Sequence, residues 1–204
     1  MSTESSIVID YVLPDRRHSQ GLKKAPLPSY TLALLLAQTP SELLGCPVVA
    51  RVHDEQARGP YRPCEAQPDI LCLTYLTTGA PRAYQISDEA RSTRSHAGKP
   101  IKIVHGGIHA TSLPGEALLH SHIVVRGEVT PISQRQILEY ALTMDPSEKV
   151  VLRLARPPAT LVRPPADWSW MRREDYILAP VVQTSVGCPF HCDFCSVTEV
   201  FGAG

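Results

Sequence analysis

Three cysteines crowd into one short stretch, Gly187-Cys188-Pro189-Phe190-His191-Cys192-Asp193-Phe194-Cys195, at x3 and x2 spacing. Thiolates are the ligands that iron–sulfur clusters use, and a 4Fe–4S cube has four corners. Three thiols on one loop leave one iron without a protein ligand, an open position where a small molecule can bind metal directly. Two other readings stand beside this one. Structural zinc would need a fourth ligand, and His191 is the nearby candidate, at a spacing unlike zinc ribbons. Reduced thiols without any metal need nothing more. An electron-transfer ferredoxin would want a fourth cysteine at x2 spacing, and none follows. The scattered Cys46, Cys64 and Cys72 form no partner pattern, and Cys72, in an apolar run, reads as a buried thiol.

A second group of candidates could hold a large flat ligand. It comprises Thr74 and Thr77 around Tyr75-Leu76, Gly106-Gly107 with His109, and Gly127-Glu128. Glycines let a ligand approach the backbone, while Thr, His and Glu supply hydrogen bonds. Without a ligand, Gly106-Gly107 would merely turn the chain and Glu128 would cap a helix.

Each of these sets follows an apolar, β-branched run, so a strand must deliver it. Strands are expected at 6–13, 47–53, 69–74, 101–104 and 122–125. Helices are expected at 29–38 with Ser29 as N-cap, at 81–96 with Ala83, Ile86 and Ala90 on one face, at 113–120, and at 132–144 with Ile137, Leu138, Ala141 and Leu142 inward. Residues 60–68 are turn-rich. Alternation with short connections predicts an α/β fold over residues 1–148, a doubly wound, flavodoxin-like parallel sheet of five strands. Ligands of such sheets sit beyond the carboxyl ends of the strands, near the switch point, which is where the second group falls.

Residues 149–155 fit either a further strand or an extended arm. Arg156-Pro157-Pro158 and Arg163-Pro164-Pro165 mark a Pro-rich linker over 149–178, which Trp168, Trp170 and Tyr176 fasten to a neighbouring surface. A new unit opens at 179, with 180–184 as its first strand and the cysteine loop behind it. Lys+Arg and Asp+Glu balance at 20 each, which excludes the basic footprint of a general nucleic-acid binder. No apolar run approaches the ~20 residues that span a bilayer, and residues 1–6 are polar, unlike a secretory leader. The expectation is a cytoplasmic protein with neither nucleic acid nor membrane as partner.

Cys188-x3-Cys192-Asp193-Phe194-Cys195 resembles the signature of radical S-adenosylmethionine enzymes. The longer string from Gln183 to Val197 resembles the subgroup with an N-terminal cobalamin-binding domain. Upstream, Gly106-Gly107-Ile108-His109-Ala110-Thr111, Pro114-Gly115-Glu116-Ala117 and Val124-Val125-Arg126-Gly127-Glu128 resemble that subgroup's segments, in the same order. The chain departs from the pattern at Val186, where Arg is usual, and at Ser121-His122, where Asp is usual. The Asp-x-His-x-x-Gly motif that supplies an axial histidine is absent.

The resemblance implies a 4Fe–4S cluster on Cys188, Cys192 and Cys195, S-adenosylmethionine on the open iron, and Phe194 beside its adenine. It also implies cobalamin along the edge of Thr74, Thr77, Gly106, Gly107, His109, Gly127 and Glu128. An external one-electron donor such as flavodoxin or ferredoxin would serve the cluster, and the full-length reaction would be methyl transfer or a radical rearrangement. A (β/α)8 barrel takes ~250 residues, whereas nine follow Cys195. The expectation is therefore an N-terminal part of such an enzyme, holding the first strand and cluster loop of a truncated barrel. It would not turn over alone, and Phe190, Phe194 and Phe201 would be exposed. The alternative is a non-catalytic corrinoid- or ligand-binding module with a vestigial cluster loop.

Overall fold

The computed structural model describes residues 6–15, 27–157, 161–185, 187–190, 192–195 and 197. Its strands are β1 (Ile7–Leu13), β2 (Glu42–Leu43), β3 (Cys46–Asp54), β4 (Ile70–Thr74), β5 (Lys102–Gly106), β6 (Ile123–Arg126) and β7 (Val150–Arg153). They form one sheet in the order β2-β3-β1-β4-β5-β6-β7. All neighbours run parallel except the short β2, which pairs antiparallel with the start of β3. The helices are α1 (Tyr30–Gln38), α2 (Glu55–Arg58), α3 (Pro63–Ala66), α4 (Ala80–Arg91), α5 (Gly107–Ser112), α6 (Pro114–Leu119) and α7 (Pro131–Thr143).

Successive strand residues point to opposite faces, and here each face meets its own helices. Ile9, Tyr11, Ile70 and Val104 pack with Leu32 of α1 and with Ile137 and Leu138 of α7. Val12, Leu71, Leu73 and Ile103 pack on the other face with Ala83 and Ile86 of α4 and Ala110 of α5. Burial on both faces is why β4, Ile-Leu-Cys-Leu-Thr, reads as an almost continuous apolar run. The helix starts are fastened locally. Ser29 Oγ accepts from Leu32 N–H at 3.3 Å, and Thr130 and Ser133 form a reciprocal capping box at α7 with Pro131 as its first residue.

The α/β class and the parallel sheet agree with expectation, but the count of five strands does not. Val150–Arg153 settles as β7, pairing Ile123↔Val150 through Arg126↔Arg153, and two-residue β2 is too short for any periodic signal. Residues 180–184, expected as a strand, form none. Among the described residues nothing pairs with their backbone N–H and C=O groups, and an extended segment without a partner does not make a sheet. Helix α5 was not anticipated, since six residues are too few to show a helical period.

From β1 the chain passes outward to β3, then returns to β4 on the other side of β1, so the strand order reverses between β1 and β4. The stretch after β7 comes back across the carboxyl edge of the sheet. Arg163 pairs with Glu128, Asp167 N–H donates to Ala33 O at 3.0 Å, Arg58 donates to Trp170 O, and Tyr176 O–H donates to buried Asp54 Oδ2 at 3.0 Å. The Arg163 ion pair, these backbone bonds and Tyr176 thus fasten the Pro-rich stretch onto the sheet and its helices.

Candidate functional site

A cleft of about 660 Å³ opens where the strand order reverses. Thr74, Gly106, Gly127 and Glu128 border it at the strand ends, with Tyr11, Cys72 and Val104 on the sheet surface beneath. Helix α1 contributes Tyr30, Leu34, Leu35 and Gln38, and α7 contributes Gln134, Ile137 and Leu138. Val181, Val182 and Gln183 also line it, so the segment leading to the cysteine loop belongs to its wall.

The two adjacent glycines have different reasons to be there. Gly107 has φ +91°, and a Cβ on it would lie 2.8 Å from Tyr75 N and 2.9 Å from Tyr75 O, so the β5–α5 turn itself requires it. Gly106 is extended, and a Cβ on it would meet nothing within 4 Å. Its lack of a side chain leaves the cleft wider without relieving any backbone contact. Gly127 has φ +103° and donates its N–H to Thr111 Oγ1 at 3.3 Å, which sets the turn after β6.

The other expected residues are distributed as follows. Thr77 and His109 meet at 3.2 Å, but His109 is buried against Tyr84 on the face covered by α4 and α6, and neither residue lines the cleft. Glu128 lines it with its carboxylate engaged by Arg163, whose Nε donates at 2.7 Å. Phe194 is 93% exposed and Phe190 71%, whereas His191 and Phe201 lie outside the described residues. Cys188 and Cys195 are half-buried and Cys192 is exposed, with Cys195 N–H donating to Cys192 O at 3.0 Å. Among the described residues no three His, Cys, Asp or Glu side chains are grouped to hold a metal. The thiols have the chemistry to bind iron, but the loop would have to draw them together to do so. Cys72 proves half-buried on the cleft surface, and desolvation followed by the nearby Asp10 carboxylate pushes its thiol well above the ordinary range.

Sequence reasoning missed the two glutamines, Tyr11 and the 181–183 segment. Gln134 carried the one available signal, lying three and four residues before the inward Ile137 and Leu138. Among the described lining residues there is no lysine, arginine, histidine or aspartate. The walls therefore offer a phosphate no counter-charge, and a metal in the cleft no imidazole. A large, mainly apolar, uncharged ligand fits that composition. The open backbone at Gly106 leaves the cleft unobstructed at that strand end.

The chain is 30% identical over 139 residues to a bacteriochlorophyllide d C-12(1)-methyltransferase of Chlorobaculum tepidum, covering 66% of this chain and 28% of that protein. It is 30% identical over 142 residues to a bacteriochlorophyllide d C-8(2)-methyltransferase of the same organism, covering 66% and 29%. Against an uncharacterized methyltransferase of Pyrococcus horikoshii it is 28% identical over 155 residues, covering 66% and 33%. The matched region thus spans about a third or less of these relatives' length. No family model matches the chain, and no solved structure matches it. No described helix is long and apolar enough to cross a membrane.

Proposed function

We propose that this chain is the cofactor-binding part of a corrinoid-dependent radical S-adenosylmethionine methyltransferase. The observation that carries the reading is the continuity of the cleft with the cysteine loop. Val181–Gln183 form part of the cleft wall, and Cys188 follows Gln183 by five residues, a reach of at most about 18 Å. A methyl carrier in the cleft and a cluster on the loop would then be neighbours, as a reaction using both requires. The similarity to three methyltransferases supports methyl transfer over a rearrangement.

In this reading the sheet domain holds a corrinoid against Thr74, Gly106 and Gly127, with Gly107 fixing the turn and Glu128 tied to Arg163. Thr77 and His109 brace the same edge from the opposite face. Cys188, Cys192 and Cys195 would bind the cluster, with S-adenosylmethionine on its open iron beside Phe194. A bound cluster supplies one-electron chemistry, and a bound corrinoid supplies a transferable methyl group. The electron would come from an external donor such as flavodoxin or ferredoxin, in the cytoplasm. The division into a cofactor domain (1–148), a Pro-rich connection (149–178) and the opening of a radical domain (179–204) belongs to the same proposal.

Anaerobic reconstitution of the chain with iron and sulfide tests the cluster. About four irons per chain and a paramagnetic signal after dithionite are expected, and both are expected to disappear in Cys188→Ala. Colourless, signal-free protein would overturn the cluster assignment. One observation favours a second reading, a ligand-binding module without a cluster: the three thiols are not grouped to hold a metal. Corrinoid uptake without iron would establish that reading instead.

A further inference from the structure

Two amide side chains that line the cleft have buried polar atoms without a hydrogen-bond partner. Gln38, the last residue of α1, is 6% exposed, and neither its Nε2 nor its Oε1 has a partner. Gln134 of α7 is 3% exposed, and its Oε1 is likewise unpartnered. The orientation of Gln134 is set by its other end. Its Nε2 lies 2.8 Å from Leu35 O, which can only accept, 2.7 Å from Tyr11 Oη and 2.9 Å from Thr39 Oγ1. The Gln134 oxygen is therefore held as an acceptor, and its nitrogen is bonded to Thr39, the residue next to Gln38.

Leaving a buried polar group unpaired costs roughly 1–3 kcal/mol, so folded proteins seldom keep one without a use. Helix propensity gives glutamine no advantage over methionine or leucine at position 38. The unused groups are one N–H2 donor and two carbonyl acceptors. A primary carboxamide answers that inventory with its own N–H2 and C=O. A carboxylate does not, because it brings no donor and finds no cation among the described lining residues.

We infer that the part of the cleft lined by Gln38 and Gln134 is a subsite for a primary carboxamide of the ligand. Gln38 acts there as the residue that discriminates amide from acid. The inference rests on the corrinoid reading, since a corrin carries primary carboxamides around its rim. It adds a specific contact and a reason why α1 ends on a buried amide.

The test is a visible-absorbance titration of the chain and its Gln38→Met variant with hydroxocobalamin, and with a corrinoid whose amides have been hydrolysed to carboxylates. Thermal melts of both unliganded proteins accompany it. The wild type is expected to favour the amide form, and Gln38→Met to bind that form about tenfold more weakly, as losing a paired hydrogen bond implies. The variant's discrimination should shrink with its affinity. Its melting temperature should meanwhile rise by about 2–4 °C, because an unpaired amide has been removed. A purely structural glutamine would move both quantities downward together. Equal hydroxocobalamin affinity in the two proteins would overturn the subsite and leave the corrinoid reading standing. A lower melting temperature would do the same, by showing that Gln38 already has its partner. No uptake of either corrinoid by the wild type would overturn the corrinoid reading and the subsite with it.

Discussion

His105 of β5 sits between two hydroxyl groups, with Tyr75 Oη 2.8 Å from Nδ1 and Ser87 Oγ 2.7 Å from Nε2. Ser87 gives its own proton to Ala83 O at 2.9 Å, so it accepts from Nε2–H, and Nδ1 accepts from Tyr75. A second ring proton would break the Tyr75 bond. Burial, followed by the nearby His120 and Arg91, pushes the His105 pKa down to about 3. In the unfolded chain the ring takes its proton near pH 6.5. The stabilisation from a neutral His105 is therefore complete above pH 6.5 and is lost as pH falls from there towards 3. The loss is at most about 1.4 kcal/mol per pH unit. His122, pushed to about 4 by burial and Lys102, acts in the same direction. His105→Gln removes one of the two titrations. Urea unfolding at pH 7, 6, 5 and 4 should show a shallower fall in stability for that variant than for the wild type, and matching slopes would refute the assignment.

At the scale of elements, the junction of β5 and α5 separates the demands of folding from those of binding. Gly107→Ala places a methyl group at positive φ against the Tyr75 backbone and should cost roughly 2 kcal/mol or more in urea unfolding. Gly106→Ala puts its methyl into open cleft, so stability should stay within about 0.5 kcal/mol while corrinoid uptake weakens. The pair Gly106-Gly107 was legible in the sequence as a special place at a strand end. Which glycine serves the turn and which the cleft was not, because that depends on Tyr75, some thirty residues away along the chain. His109 shows the same limit. Its spacing after the glycines is plain in the sequence, but the first turn of α5 carries it to the face occupied by Tyr84 and α6.

Over the whole molecule, the stretch 161–176 ties the two ends of the candidate machinery together. It starts at Glu128 beside the cleft, crosses α1 at Ala33, and ends with Tyr176 buried against Asp54 at the end of β3. From there it runs directly into the cleft-lining residues 181–183. The Arg163–Glu128 pair is mostly buried on both sides, unlike the solvent-exposed Arg172–Glu174 pair, and so has more weight in holding this stretch down. Arg163→Ala is expected to lower the melting temperature by about 2–4 °C and to speed amide exchange in residues 161–167 relative to β4. Unchanged exchange there would show that Asp167 and the aromatic contacts hold the stretch without the ion pair.

Alternating strands and helices, the polar strand ends at Thr74, Gly106 and Gly127, and the three clustered thiols could all be read from residue order alone. Each is a local pattern, set by periodicities of two or 3.6 residues or by ligand spacing. Tertiary structure decided which face of the sheet carries the cleft. It also decided that β7 completes the sheet, that 180–184 form no strand while 181–183 line the cleft, and that Gln38 and Gln134 both border that cleft. These outcomes depend on partners far apart in the chain, such as Gln134 with Tyr11, 123 positions away. No short-range period encodes which distant group will stand opposite a side chain once the helices have packed.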